Sequence, residues 1–280
     1  MTTTRQPMRR RKRPSTQRQL RARAVAGPHE ALPLVHITAT GFAREIVEAG
    51  QFDAQHCGVF NRSLVYFFAL RPAYRRKDGD DKSHQINRFP FVFIIKPTAV
   101  PAPFHVYPFD TGGAADGIFS EESDAAIDLE DYELVPSHEA VGGQIGWAFG
   151  SLEDYFDGVL RVDLIGDVPV HETVTRGFID IARMASLRSS NQPDKRASAI
   201  EVAASHNIPL KGNVLLAILP RQYLEDGGKP NDDFIAQLKA HGIDWLTYEW
   251  QPNAMPNEFQ EEISQIVRQF FVDTKILRDG

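Results

Sequence analysis

Three short apolar runs constrain this chain most: RSLVYFFAL at 62–70, FPFVFIIKP at 89–97 and GNVLLAILP at 212–220. Each is rich in β-branched or aromatic residues and bounded by charged or turn-forming ones, as expected of strands buried on both faces. Pro97 closes the second, because proline has no N–H to give a ladder. LPLVHIT at 32–38, ASAIEVAAS at 197–205 and IDWLTYEW at 243–250 read as further strands. Helical patterns fall on GFAREIVEAG, with Thr40 as its cap and Gly50 at its C-terminal end, and on SLEDYFDGVLRVD, opened by Ser151. They recur in the second half of VHETVTRGFIDIARMASLRSS, in NDDFIAQLKAHG and in NEFQEEISQIVRQFFVDTKIL. Strands and helices mix without a steady βαβ rhythm. The fold class expected is therefore α+β, with a mostly antiparallel or mixed core and flanking helices, rather than a doubly wound sheet. No internal repeat appears.

Charge is placed unevenly. Residues 1–27 hold nine cations (Arg5, Arg9, Arg10, Arg11, Lys12, Arg13, Arg18, Arg21 and Arg23) and no acid. The whole chain carries −6, so residues 28–280 carry −15. Low hydrophobicity and high charge predict a disordered basic arm over 1–27 and a single folded domain over 28–280. The stretch DTGGAADGIFSEESDAAIDLED, 110–131, predicts a long acidic surface loop. A basic arm suits contact with nucleic acid or an acidic partner, and equally a solubilising leader. The acidic body argues against a broad nucleic-acid-binding face, which needs clustered Lys and Arg. No run of 18 apolar residues occurs, so no membrane-spanning helix is expected. No apolar segment follows the N-terminal cations as it would in a secretory signal. Cys57 is the only cysteine, which excludes an intrachain disulfide and a Cys-based zinc site. Together these features fit a reducing cytoplasm.

Several familiar chemistries lack their motifs. There is no P-loop, GxGxxG, HExxH or GxSxG, and SHEA and VHET each hold one His-Glu pair. Two residues stand out instead. His36 ends an apolar run just before Ile37-Thr38 and a helix, as either a buried hydrogen-bonded histidine or a ligand-binding one. Glu201 lies between Ile200 and Val202, where a carboxylate is costly unless it faces solvent or has a task. Strand alternation leaves the solvent-facing option open. Tyr66, Phe67 and Phe68 read as core, and Arg71 before Pro72 as the start of a turn.

Three segments, in order, resemble the ADP-ribosyltransferase superfamily: LVHIT…AREIVEAGQF, GVFNRSLVYFFALRPAYR and ASAIEVAASHNIPLKGNVLLAILP. The second is similar to the YFA…S…Y segment of poly(ADP-ribose) polymerases. It is closer to the YF…R…Y segment of DarT-type DNA ADP-ribosylating toxins. The resemblance spans roughly 32–220, with 98–190 unmatched. It implies a split, mostly antiparallel ADP-ribosyltransferase-like fold and an enzyme that uses NAD as substrate, with no metal. It implies Glu201 as the catalytic carboxylate, His36 and Thr38 as anchors of the ribose and adenosine half, and Tyr66 or Tyr74 as the ring against nicotinamide. Arg71 matches the DarT-type arginine, a pyrophosphate partner. His36, Tyr66 and Glu201 should then line one cleft.

The resemblance also implies a toxin or phage-defence effector with a macromolecular acceptor, nucleic acid slightly favoured over protein, and a restraining antitoxin or inhibitor, with no membrane partner. Where arginine-directed members carry Glu or Gln two residues before the catalytic Glu, this chain has Ala199. Arg196 and Ser198 would face the acceptor. With water as acceptor the same fold gives an NAD glycohydrolase. An RNA 2′-phosphotransferase would need basic residues where this chain is acidic. A non-catalytic nucleotide-binding module, or a structural protein, would lack the shared cleft.

Overall fold

The apolar runs do become strands. The computed structural model describes residues 6–11, 15, 17–25, 31–73, 82–120, 122, 124–186 and 194–279. The principal strands are β1 (Leu34–Ala39), β2 (Arg62–Ala69), β3 (Pro90–Ile95), β4 (His105–Tyr107), β5 (Glu201–Ala204), β6 (Val214–Pro220) and β7 (Trp245–Tyr248). The principal helices are α1 (Gln19–Arg23), α2 (Thr40–Ala49), α3 (Thr111–Ala115), α4 (His138–Ala148), α5 (Leu152–Asp157), α6 (Thr173–Arg183), α7 (Asp232–Ala240) and α8 (Gln260–Asp273). The result is a mixed α/β protein whose strands pair mainly antiparallel, with flanking helices.

Two compact units draw on interleaved segments. The first takes Met1–Leu32, Cys57–Arg62 and Ala102–Ala203; the second takes Pro33–His56, Ser63–Pro101 and Ala204–Gly280. The described residues of the N-terminal arm fall in the first of these units.

In the second unit β1 lies between β2 and β3, antiparallel to both, with Val35 opposite Phe68 and His36 opposite Phe93. β6 follows antiparallel to β3, and β7 runs parallel to β6 at the far side. Every residue of β3 is buried, which is why its sequence shows no alternation. Helices close over the sheet through ring contacts, Phe91 to Phe234 at 6.3 Å and Tyr248 to Phe259 at 5.2 Å. Thr40 is not the cap of α2. Ala39 holds that position, and the Thr40 N–H and hydroxyl both donate to the Phe89 carbonyl, at 2.8 and 2.9 Å. Gly50 does end α2, at φ 69°, where a Cβ would meet the His241 ring at 2.9 Å.

In the first unit β4 pairs antiparallel with β5, Tyr107 opposite Glu201 and His105 opposite Ala203. The strand read at 197–205 is shorter because Lys195–Ser198 form a 3-10 turn, capped by the Asp194 side chain. Ser151 caps α5 as expected, accepting from the Asp154 N–H.

The described part of the basic arm is not a loose tail, and 110–131 is not a loop standing in solvent. Arg9 and Arg11 pair with Asp128 at 2.5 and 2.8 Å, Arg11 also with Asp131 at 2.7 Å, and Arg10 with Glu130 at 2.6 Å. The Ser15 hydroxyl bonds Asp131. Arg21 and Arg23 pair with Glu133 and Glu172. Met8 and Leu20 are buried beneath. Opposite charge, about 120 residues apart in sequence, gives each segment the partner it lacks alone.

Candidate functional site

Directly opposite residues of an antiparallel pair share a face, and so do residues two apart on one strand. Glu201, Tyr107 and His105 therefore project together from β4 and β5. The Glu201 side chain is 2% exposed, so it does not lie on a wet face. Its carboxylate is satisfied instead. The Thr111 hydroxyl donates to Oε1 at 2.7 Å and the Thr111 N–H to Oε2 at 3.1 Å. His105 Nε2 lies 3.1 Å from Oε1 and, facing a carboxylate, is the donor. Charge-assisted bonds of this number offset the cost of burying an acid. Thr111 is placed by the start of α3, where Asp110 caps by accepting from the Gly112 N–H at 2.9 Å.

Aromatic rings enclose the histidine. Phe60 lies 4.4 Å from His105 and Tyr107 5.0 Å, and Arg10 sits 4.6 Å over Phe60. Burial, reinforced by the nearby carboxylates of Glu133, Glu130 and Glu201, pushes the Tyr107 phenol far above its ordinary range, so it stays protonated. Sequence reasoning missed His105. The alternation His105-Val106-Tyr107 was the available signal, diluted by the prolines on either side.

Arg196 and Ser198 do not face outward toward an acceptor. Arg196 is 4% exposed, held by Asp194 at 2.9 and 2.7 Å and by Asp110 at 3.4 Å. Ser198 and Ala199 are fully buried. The turn before Glu201 is thus a rigid support, and the Ile200 N–H adds a bond to the Tyr155 hydroxyl at 3.0 Å.

In the second unit His36 lies within β1 rather than at its end, half-buried among Phe52 at 5.1 Å, Phe67 at 5.7 Å and Phe93 at 6.5 Å. Its Nδ1 lies 2.9 Å from the Tyr66 carbonyl and must donate to it. Burial drives its pKa below the ordinary value, against the opposing pull of that carbonyl. The ring is therefore neutral, and Nε2 carries a lone pair able to accept a hydrogen bond. Thr38, two residues on, shares this face.

Tyr66 does not join them. The Phe67 ring lies 5.7 Å from that of His36, and successive strand residues point to opposite faces, so Tyr66 projects from the other side. The aromatic on the His36 face is Phe67. Arg71 is 2% exposed, just after Leu70 at φ 58°, and its carbonyl accepts from the Ala73 N–H, as a turn residue's would. Tyr74 lies outside the described residues. Among those described, no group of three or more His, Cys, Asp or Glu is placed to hold a metal ion, and no helix is long and apolar enough to cross a membrane.

No family model and no curated protein matches the sequence. Among solved structures, a Thermus sp. 2.9 DarT in complex with carba-NAD+ aligns with a TM-score of 0.37 and 10% identity, over 79% of this chain and 97% of that one. A Thermus sp. 2.9 DarT in complex with NAD+ aligns at 0.34 and 12%, with the same coverage. Likenesses this slight carry no weight for function, which rests on the residues themselves.

Proposed function

We propose that this chain is an NAD-dependent ADP-ribosyltransferase that transfers ADP-ribose to a nucleic-acid acceptor. One observation carries the reading: Glu201, in the segment that resembles the family's catalytic strand, is a buried carboxylate whose oxygens are both fixed by Thr111 and one also by His105. An acid so held is preorganised for charge that develops next to it.

The reaction needs that charge. The bond between nicotinamide and ribose C1′ breaks with its electron pair leaving on nicotinamide, and the ribose becomes cationic. An acceptor nucleophile then bonds to C1′ and releases a proton. In this reading the Glu201 carboxylate stabilises the ribosyl cation and accepts from a ribose hydroxyl. Within the second unit His36, being neutral, offers Nε2 as a hydrogen-bond acceptor rather than acting as a base, and Thr38 adds a hydroxyl on the same face. Phe67 replaces Tyr66 as the ring on that face. The acceptor class rests on Ala199, which departs from the arginine-directed pattern. Among the described cations of the arm, Arg9, Arg10 and Arg11 do not supply it, being engaged by carboxylates of the same chain.

The test is nicotinamide release from NAD by the purified chain, alone and with single-stranded DNA, tRNA or nucleic-acid-free lysate protein, beside Glu201→Gln. Release that needs nucleic acid and is lost in the variant is the expected result. Release with no acceptor would make the chain a glycohydrolase. Release that survives in Glu201→Gln would remove the carboxylate from the chemistry.

A further inference from the structure

We infer that His105 is the positioning residue of Glu201, fixing the rotamer that the carboxylate needs at the sugar; this rests on the proposed transferase reading. Tyr107 is the direct partner of Glu201, and His105 is its diagonal neighbour on the same face. A diagonal neighbour must reach further than a direct one, and an imidazole presented through Nε2 spans the gap, arriving 3.1 Å from Oε1. Both side chains are 2% exposed, so no water competes for that bond.

The ring is held as firmly as the acid. Phe60, Phe104 and Tyr107 lie 4.4, 5.4 and 5.0 Å from it. That enclosure blocks rotation, so Nε2 cannot swing away when charge builds beside the carboxylate. Thr111 alone would leave Oε1 with a single donor from a small rotatable hydroxyl. His105 supplies the second donor from a rigid one, and the carboxylate plane is thereby set from two elements, β4 and α3. A merely structural role would be met by any side chain that fills the space, whereas positioning demands a donor at the Nε2 site.

Three substitutions separate these roles. In glutamine the side-chain amide nitrogen reaches the place of Nε2; in asparagine it falls short; in phenylalanine there is no donor. His105→Gln is expected to keep most of the wild-type kcat. His105→Asn and His105→Phe are expected to lose about 10- to 100-fold, with the KM for NAD little changed, because only the transition-state geometry is lost. Should His105→Phe not fold, the Gln and Asn pair still decides. Equal kcat in Gln and Asn, or an effect confined to KM, would overturn the inference. A second readout is independent of turnover: nitrogen-15 NMR of the histidine rings at neutral pH should show His105 Nε2 protonated. A ring protonated only on Nδ1 would overturn the inference even in an active enzyme. A wild-type chain that releases no nicotinamide with any acceptor would instead strike the transferase reading, and the catalytic part of this inference with it.

Discussion

Replacing Arg11 by alanine tests the arm. Its guanidinium bonds Asp128 at 2.8 Å and Asp131 at 2.7 Å, and its backbone N–H bonds Glu130 at 2.9 Å. The backbone bond survives the substitution; the two side-chain bonds do not. Arg11 is 23% exposed, Asp128 8% and Asp131 1%, so the pairing lies between a surface bridge and a buried one. Surface bridges contribute about 0–1 kcal/mol, and breaking a buried one costs about 3–5 kcal/mol. Asp131 keeps the Ser15 hydroxyl and the Asp128 N–H, and Asp128 keeps Arg9, which brings the expected cost to about 2 kcal/mol. In a chain of this size that lowers the melting temperature by about 4–8 °C, read by circular dichroism at neutral pH. The effect has a pH signature. Burial raises the Asp128 pKa, but Arg9 and Arg11 outweigh it and hold the carboxyl below its ordinary value. Its contribution is therefore complete above the unfolded value, about 3.9, and is lost as pH falls through the folded one, so wild type and variant converge in acid. A melting temperature within about 1 °C of wild type at neutral pH would refute the docking of the arm.

Tyr66→Phe is expected to leave the KM for NAD and the turnover unchanged, since Tyr66 faces away from His36; a large rise in KM on steady-state assay would contradict that placement. His36, kept neutral by burial, gives stability that is present above the unfolded value of about 6.5 and lost as pH drops below it, because the unfolded chain takes up a proton the folded ring refuses. Melting curves between about pH 7 and about pH 5 should fall more steeply for wild type than for His36→Gln, and parallel slopes would contradict it. In Gly143→Ala the new Cβ would lie 1.7 Å from the Val25 carbonyl oxygen, so the segment after α1 must lift from α4. Trypsin should then cut faster at Arg21 and Arg23, and unchanged cleavage would mean the packing is looser than it looks.

The strands at 62–69, 90–95 and 214–220 were legible because burial on both faces writes a continuous apolar run. Gly50 and Ser151 were legible because end chemistry is local. What failed was non-local or lacked a period. α4 escaped notice because Ala140, Val141, Gly142, Gly143, Gln144 and Ile145 are all buried, leaving no polar face to set against an apolar one. The acidic stretch read as a solvated loop because its counter-charges lie at the other end of the chain. Glu201 was visible as an acid in an apolar strand, yet its donors, Thr111 and His105, lie about 90 residues away. Tyr66 and Phe67 are adjacent in sequence, and only the register decides which one shares the His36 face.

The most direct test of the central claim is covalent transfer itself: intact mass of a single-stranded DNA oligonucleotide after incubation with NAD and the full chain. A gain of one ADP-ribose on the DNA, absent with Glu201→Gln, is the expected result. NAD consumed while the oligonucleotide keeps its mass, or an adduct formed equally by the variant, would contradict it.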